Sequence, residues 1–242
     1  MSLINFFEEF SDSGSLLNAK FIKNKSIVFL AAKSLKQFLS LAKEIRSINK
    51  NVVPGYWPII EDTYWISPLA PETELNRLGW EFLNEKLKRI PVLLDLELPI
   101  LRPKMDLIKQ VLFSFAALKN NATIISGLYS QLQRNKSPIY TAEYPIPFLD
   151  LSFNYKKIPC QRIYMCYTSM CPNILKNAFR YSVKKQRCPV GLGVIAKGIF
   201  GDEKIITEKD LLYDLKYFKN TREIFIFRLG GLTKELAAKI GA

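Results

Sequence analysis

Pro91-Val92-Leu93-Leu94-Asp95-Leu96-Glu97-Leu98-Pro99 is an apolar run of strand character, closed by proline at both ends, that carries two acids two residues apart. Strand side chains alternate between faces, so Asp95 and Glu97 project to the same side. Two carboxylates on an otherwise apolar strand are costly to place unless water, a ligand or chemistry lies beside them. The run therefore predicts a strand over 92–97 that ends at the mouth of a site. A helix cap for one acid and an ion pair for the other is the plainer alternative.

Outward from this strand the pattern recurs. Runs with β-branched or aromatic bias lie at 27–32, 52–57, 123–128, 139–144, 162–168, 190–196 and 223–229, each bounded by turn signals. Helical period fills most of the gaps. Its clearest stripe is Leu35, Phe38, Leu39, Ala42, Ile45 and Ile48, with Lys36, Lys43 and Arg46 off it. Others run through Leu75, Leu78 and Phe82, through Ile108, Val111, Leu112 and Phe115, and through Leu175, Ala178, Phe179 and Val183. Two more join Leu211, Leu212, Leu215 and Phe218, and Leu236 with Ile240; Thr207 followed by Asp210 predicts a capping box for the former.

Strands that alternate with helices imply parallel pairing, and unbroken apolar character implies that both strand faces are covered. With 92–97 as the third strand, the count predicts a small (β/α)8 TIM-type barrel, α/β in class, as one domain over residues 1–242. Residues 1–25 are expected to form an accessory segment at the bottom of the barrel. The barrel is expected to be irregular between its fourth and sixth strands, where 131–137 is short for a helix and 145–159 reads as loop. A doubly wound open sheet is the other topology compatible with the pattern.

The composition narrows the chemistry. A hydrophobic fraction of 48% is ample for a core, and the net charge of +13 draws anionic partners: nucleic acid, acidic lipid or acidic polysaccharide. The lysines and arginines are scattered, as at Lys20, Lys23, Lys25, Lys156, Lys157, Lys184, Lys185 and Arg187, which fits a solvated surface better than a phosphate track and argues against nucleic acid. Histidine is absent, so the usual triads and the usual zinc or iron sites lose their commonest base and ligand, and carboxylates inherit any proton transfer.

The spacing of Cys160, Cys166, Cys171 and Cys188 fits no metal or redox pattern, although Cys160 and Cys188 each precede a strand and could meet at one end of the sheet. No cofactor and no metal are required by this chemistry. No apolar run is long enough to span a bilayer, and the opening residues lack the basic-then-apolar order of a secretory leader. A soluble protein is expected, cytoplasmic by default and exported if a leader has been trimmed.

A barrel meets its ligands at the carboxyl ends of its strands. Those ends carry Tyr56 and Trp57, Asp95 and Glu97, Tyr129, Glu143 and Tyr144, Tyr167 and Thr168, Lys197 and Arg228. Trp57, Tyr64 and Trp65 share one loop and could offer flat faces to sugar rings. Glu143 comes from a different strand than Asp95 and Glu97, and carboxylates on separate strands can be spaced for glycoside hydrolysis at about 5 to 9.5 Å. Crowded acids raise one another's pKa, which would keep one protonated as a general acid.

Leu94-Asp95-Leu96-Glu97 resembles the D-x-E strand end of barrel glycosidases of the chitinase and endo-N-acetylglucosaminidase type, and the similar motif of barrel muramidases. Arg162-Ile163-Tyr164-Met165-Cys166-Tyr167-Thr168 is similar to a later strand of the chitinase-like family. The resemblance implies a glycoside hydrolase acting on N-acetylated or cell-wall polysaccharide, with Glu97 as the acid, Asp95 orienting the acetamido group and Tyr167 hydrogen-bonding it. Catalysis would fall to Asp95, Glu97 and Glu143, and substrate binding to Tyr56, Trp57, Trp65, Tyr144, Tyr167 and Arg228. Ile90 and Leu93 stand where that family has further acids, and Thr168 where it has Asp or Asn, which points to a degenerate glycan-binding or scaffold barrel as the alternative. A phosphosugar enzyme is a third, resting on Gly191, Gly193, Gly230, Gly231, Lys197 and Arg228.

Overall fold

The computed structural model of the chain describes residues 2–10, 13–60, 66, 70–95, 123–143, 160–198, 201 and 203–242. Eight strands close into a ring in chain order: β1 (Leu3–Glu8), β2 (Ser26–Ala32), β3 (Val52–Pro58), β4 (Val92–Asp95), β5 (Ile139–Glu143), β6 (Gln161–Met165), β7 (Val190–Gly193) and β8 (Glu223–Phe227). All neighbours are parallel. β1 returns to β8, with Leu3 opposite Glu223 and Phe7 opposite Phe227, so the sheet has no edge and the open-sheet alternative falls.

Around the ring lie α1 (Ser13–Leu17), α2 (Leu35–Ile48), α3 (Glu72–Phe82), α4 over 123–134, α5 (Lys176–Lys185), α6 (Glu208–Tyr217) and α7 (Lys234–Ile240). The expected helical stripe at Ile108 to Phe115 lies outside the described residues. Side-chain caps begin three of these helices: Ser34, Thr207 and Thr233 accept the backbone N–H of Gln37, Asp210 and Leu236. No helix among the described residues is long and apolar enough to cross a membrane.

The strand list needs two corrections. Residues 123–128, expected as a strand, form the first half of α4: Ile125, Leu128, Tyr129 and Leu132 are buried at helical spacing, and a short apolar run does not distinguish the two periods. The strand that completes the ring is instead Leu3–Glu8, in the segment expected to be accessory, where Ile4 to Glu8 are all buried. Asp95 consequently ends the fourth strand and not the third.

Alternation divides the strand residues between two cores. Ile4, Phe6, Val28, Leu30, Val92, Leu94, Ile224 and Ile226 face outward and pack beneath helix residues such as Phe38, Ile45, Leu78, Phe82 and Leu128. Phe7, Phe29, Trp57, Leu93, Tyr140, Ile163 and Phe225 fill the lumen as a separate cluster. The register climbs as the ring turns, so the lumen residues fall into tiers drawn from alternate strands. Phe29, Leu93, Ile163 and Phe225 make one tier; Phe7, Trp57, Ala142 and Gly191 lie above it; Ala31, Asp95, Met165 and Phe227 make the next. Small residues admit large neighbours: a Cβ at Gly55 would strike the Phe29 ring, and one at Gly191 the Met165 sulfur. The lumen is thus a packed plug of rings, and any ligand is confined to its carboxyl-terminal mouth.

Candidate functional site

Asp95 is the polar member of the uppermost of these tiers. It shares the inward face with Leu93, lies opposite Ala142 and is 3% exposed. At the same end of the barrel the mouth gathers groups from several other places in the chain. Glu9 follows β1, Glu203 comes from the segment between β7 and α6, and both are half-buried. A Cβ placed on Gly198 would lie 2.6 Å from Glu9 Oε2, 2.8 Å from Glu203 Oε1 and 3.0 Å from Phe227 Cζ. Two carboxylates therefore converge on one small volume against an aromatic edge. Tyr167, half-buried after β6, sets its ring 5.9 Å from that of Phe227, and Lys33 stands exposed after β2. Such a mouth sets carboxylates on one side and ring faces on the other.

The sequence-predicted residues divide sharply. Asp95, Trp57 and Tyr167 face the lumen or its mouth, with Trp57 packed edge-on to Phe7 at 6.0 Å. Glu97, Trp65 and Tyr144 lie outside the described residues. Glu143 projects from the outer face of the sheet, where it accepts hydrogen bonds from Thr141 Oγ1 (2.7 Å) and Arg162 Nη1 (3.0 Å). Asp95 and Glu143 sit on opposite sides of the sheet wall and form no pair across a cleft.

Tyr56 also points outward, between sheet and helices, where its hydroxyl donates to Glu81 Oε2 at 2.7 Å. Burial and then the Glu81 carboxylate hold that phenol well above its ordinary range. Tyr129 is buried in α4 and Thr168 is braced in the helix layer, donating to Asp214 Oδ2 at 2.6 Å. Cys160 and Cys188 are half-buried free thiols, held up by burial.

Arg228 is committed to the protein itself. Its Nε donates to the Lys197 carbonyl (2.7 Å), and its Nη1 donates to Glu8 Oε1 (2.7 Å) and Ser15 Oγ (3.1 Å). Glu8 is wholly buried and accepts the Gly230 N–H at 2.6 Å and the Phe10 N–H at 2.8 Å. Burial pushes its carboxyl up to about 7, against the pull of the Arg228 charge. The seat expected for a phosphate at Gly230 is thus filled by the protein's own carboxylate, and the phosphosugar reading is withdrawn.

Glu9 and Glu203 escaped the sequence reading. Glu9 carries a signal, because it stands at the carboxyl end of an apolar run, although its segment reads as accessory. Glu203 carried none, since only the folded loop brings it to Glu9. Among the described residues no group of three or more His, Cys, Asp or Glu is placed to hold a metal ion.

Ring, register and mouth define the class: an eight-stranded parallel α/β barrel. No family model and no curated protein matches the sequence. Solved structures do match the fold. D-allulose 3-epimerase from Methylomonas sp. superposes with a TM-score of 0.60 at 10% identity, covering 99% of this chain and 95% of that one. The 3-keto-D-glucoside 4-epimerase of E. coli gives 0.54 at 11% identity over 100% and 99%. A xylose isomerase domain protein from Planctomyces limnophilus gives 0.54 at 10% over 99% and 94%.

At such identities the likeness establishes the fold alone. These neighbours are barrels of sugar epimerase and isomerase type, and they overturn the chitinase-like and muramidase resemblance. The outward turn of Glu143 removes one of the three carboxylates on which the glycoside hydrolase reading rested.

Proposed function

We propose that this barrel binds a small free carbohydrate at its carboxyl-terminal mouth. The observation that carries the proposal is the convergence of Glu9 and Glu203 on one volume beside Phe227, at the same end of the barrel as the inward-facing Asp95. Carboxylates accept hydrogen bonds from vicinal sugar hydroxyls, and the faces of Tyr167 and Phe227 suit the apolar face of a pyranose or furanose. The packed lumen keeps a ligand out of the barrel interior and at the ends of the strands. Barrels named for epimerising D-allulose and a keto-glucoside share the fold, which supports a free sugar over a polymer.

The carboxylates also favour a second step. In the open-chain sugar one carboxylate takes the proton from the carbon next to the carbonyl; the C–H electron pair moves into the carbonyl to give an enediolate, and the second carboxyl group, protonated, delivers its proton to the opposite face as that pair returns to carbon, inverting the centre. No co-reactant is consumed.

Saturation-transfer NMR with a panel of free ketoses and aldoses tests binding. At least one sugar is expected to receive saturation, and Glu9→Gln with Glu203→Gln is expected to weaken it by roughly tenfold or more. Absence of transfer to every sugar, or equal transfer in the double variant, overturns the site. Incubation in D2O tests the chemistry: deuterium at the carbon adjacent to the carbonyl is expected with the wild type, whereas binding without deuterium defines a binding module.

A further inference from the structure

Between Asp150 and Asp202 the chain contains no acidic residue, yet it carries nine lysines and arginines. This interval holds β6, the 3-10 turn Asn173–Leu175, α5 and β7. Within it α5 is fixed by its inner face: Val183 is buried, and Arg180 is buried with its Nε donating to Asp214 Oδ1 at 2.5 Å. What remains outward is unusual for a solvent face. Ile174 is 89% exposed, Leu175 53% and Tyr181 65%, with Ala178 exposed between them. The stripe Ile174, Ala178, Tyr181, Lys185 follows helical spacing along one side. Its far end is basic, with Lys184, Lys185 and Arg187 all exposed. Tyr213, half exposed on α6, extends the patch sideways beneath the Arg180 guanidinium, 4.6 Å from its ring.

We infer that this face of the molecule docks on an anionic lipid bilayer. Bare aliphatic side chains at the start of a helix, an interfacial tyrosine at its middle and lysines at its end form the composition that lies in the plane of a membrane surface. The interval supplies no acid of its own; Asp210 of α6 pairs with Lys176 and Asp214 with Arg180, which leaves Lys184, Lys185 and Arg187 as the positive end of the face, complementary to acidic headgroups. Nucleic acid would reward the lysines but not Ile174 and Leu175, which its phosphates leave in water. Ile174 and Leu175 lie in the segment after β6, at the carboxyl-terminal rim of the barrel, so docking would present the mouth near the lipid surface.

Co-sedimentation of the full chain with vesicles tests this, using phosphatidylcholine alone and phosphatidylcholine mixed with phosphatidylserine. The wild type is expected to sediment with the mixed vesicles, to stay in solution with phosphatidylcholine alone, and to be released by added salt. Ile174→Ser with Leu175→Ser, and separately Lys184→Glu with Lys185→Glu, are each expected to lower the partition about tenfold. All four positions are exposed, and an unchanged circular dichroism spectrum verifies folding. Failure to sediment with the mixed vesicles overturns the inference, as does binding that the serine variant leaves intact. Fluorescence anisotropy with duplex DNA completes the test: tight DNA binding that depends on Lys184 and Lys185, with no vesicle binding, would assign the face to nucleic acid.

Discussion

Glu8 is enclosed on every side, and its carboxyl group lies out of reach of water. Its pKa rises from the ordinary 4.5 to about 7, so between these values the folded state holds a proton that the unfolded state has lost. The stability contributed by this group is therefore complete below 4.5 and is lost as pH rises through about 7. The span corresponds to roughly 3 kcal/mol. Urea unfolding at pH 5 and pH 8 should show the wild type's advantage over Glu8→Gln shrinking as pH rises. A gap that is constant or widens with pH would contradict the assignment. Neither the burial nor the shift was legible in the sequence: Glu8 and Glu9 fall in the segment read as accessory, and alternation along β1 and just beyond it sends one to the helix layer and the other to the mouth.

At the scale of elements, α5 and α6 are clamped to the end of β6 by one buried cluster. Asp214 accepts hydrogen bonds from Thr168 Oγ1 (2.6 Å) and Arg180 Nε (2.5 Å), and Arg180 Nη1 donates to Asn177 Oδ1 (2.9 Å). Burial raises the Asp214 pKa, and the bonds from Thr168 and Arg180 oppose it. Asp214→Ala should destabilise the fold by about 3–5 kcal/mol, because it strands the buried guanidinium. Arg180→Met combined with Asp214→Leu should recover most of that loss. Denaturant unfolding of the three chains decides it, and a double variant no more stable than Asp214→Ala would refute the clamp. The stripes behind α2, α3, α6 and α7 were readable because their apolar positions recur at helical spacing, whereas that of α5 was readable only in part, since Phe179 and Val183 turn inward while Leu175 and Ala178 are exposed. The first half of α4 was not, since its Thr-Ile-Ile opening favours strand locally and its helical neighbours Tyr129 and Leu132 lie beyond the run.

For the whole molecule, closure is the decisive feature. β1 pairs with both β2 and β8, and its Phe7 is stacked against Phe29 and tilted against Phe225 in the lumen. Removal of residues 1–9 should expose two sheet edges and empty part of the plug, replacing a single cooperative transition with a broad one and promoting association. Thermal melting and size-exclusion chromatography report both effects, and a sharp, monomeric transition in the truncated chain would show that the ring does not depend on β1. The sequence by itself determined the class, because alternating apolar runs and amphipathic stripes admit parallel strands covered on both faces. It also determined that Asp95 would lie on a strand of that sheet. Only the tertiary structure decided which strand was first, which side of each strand met the lumen, and that Glu9 and Glu203 would share one volume. The physical reason is that a period of two fixes alternation but not direction, and direction is set when the curved sheet returns to its own beginning.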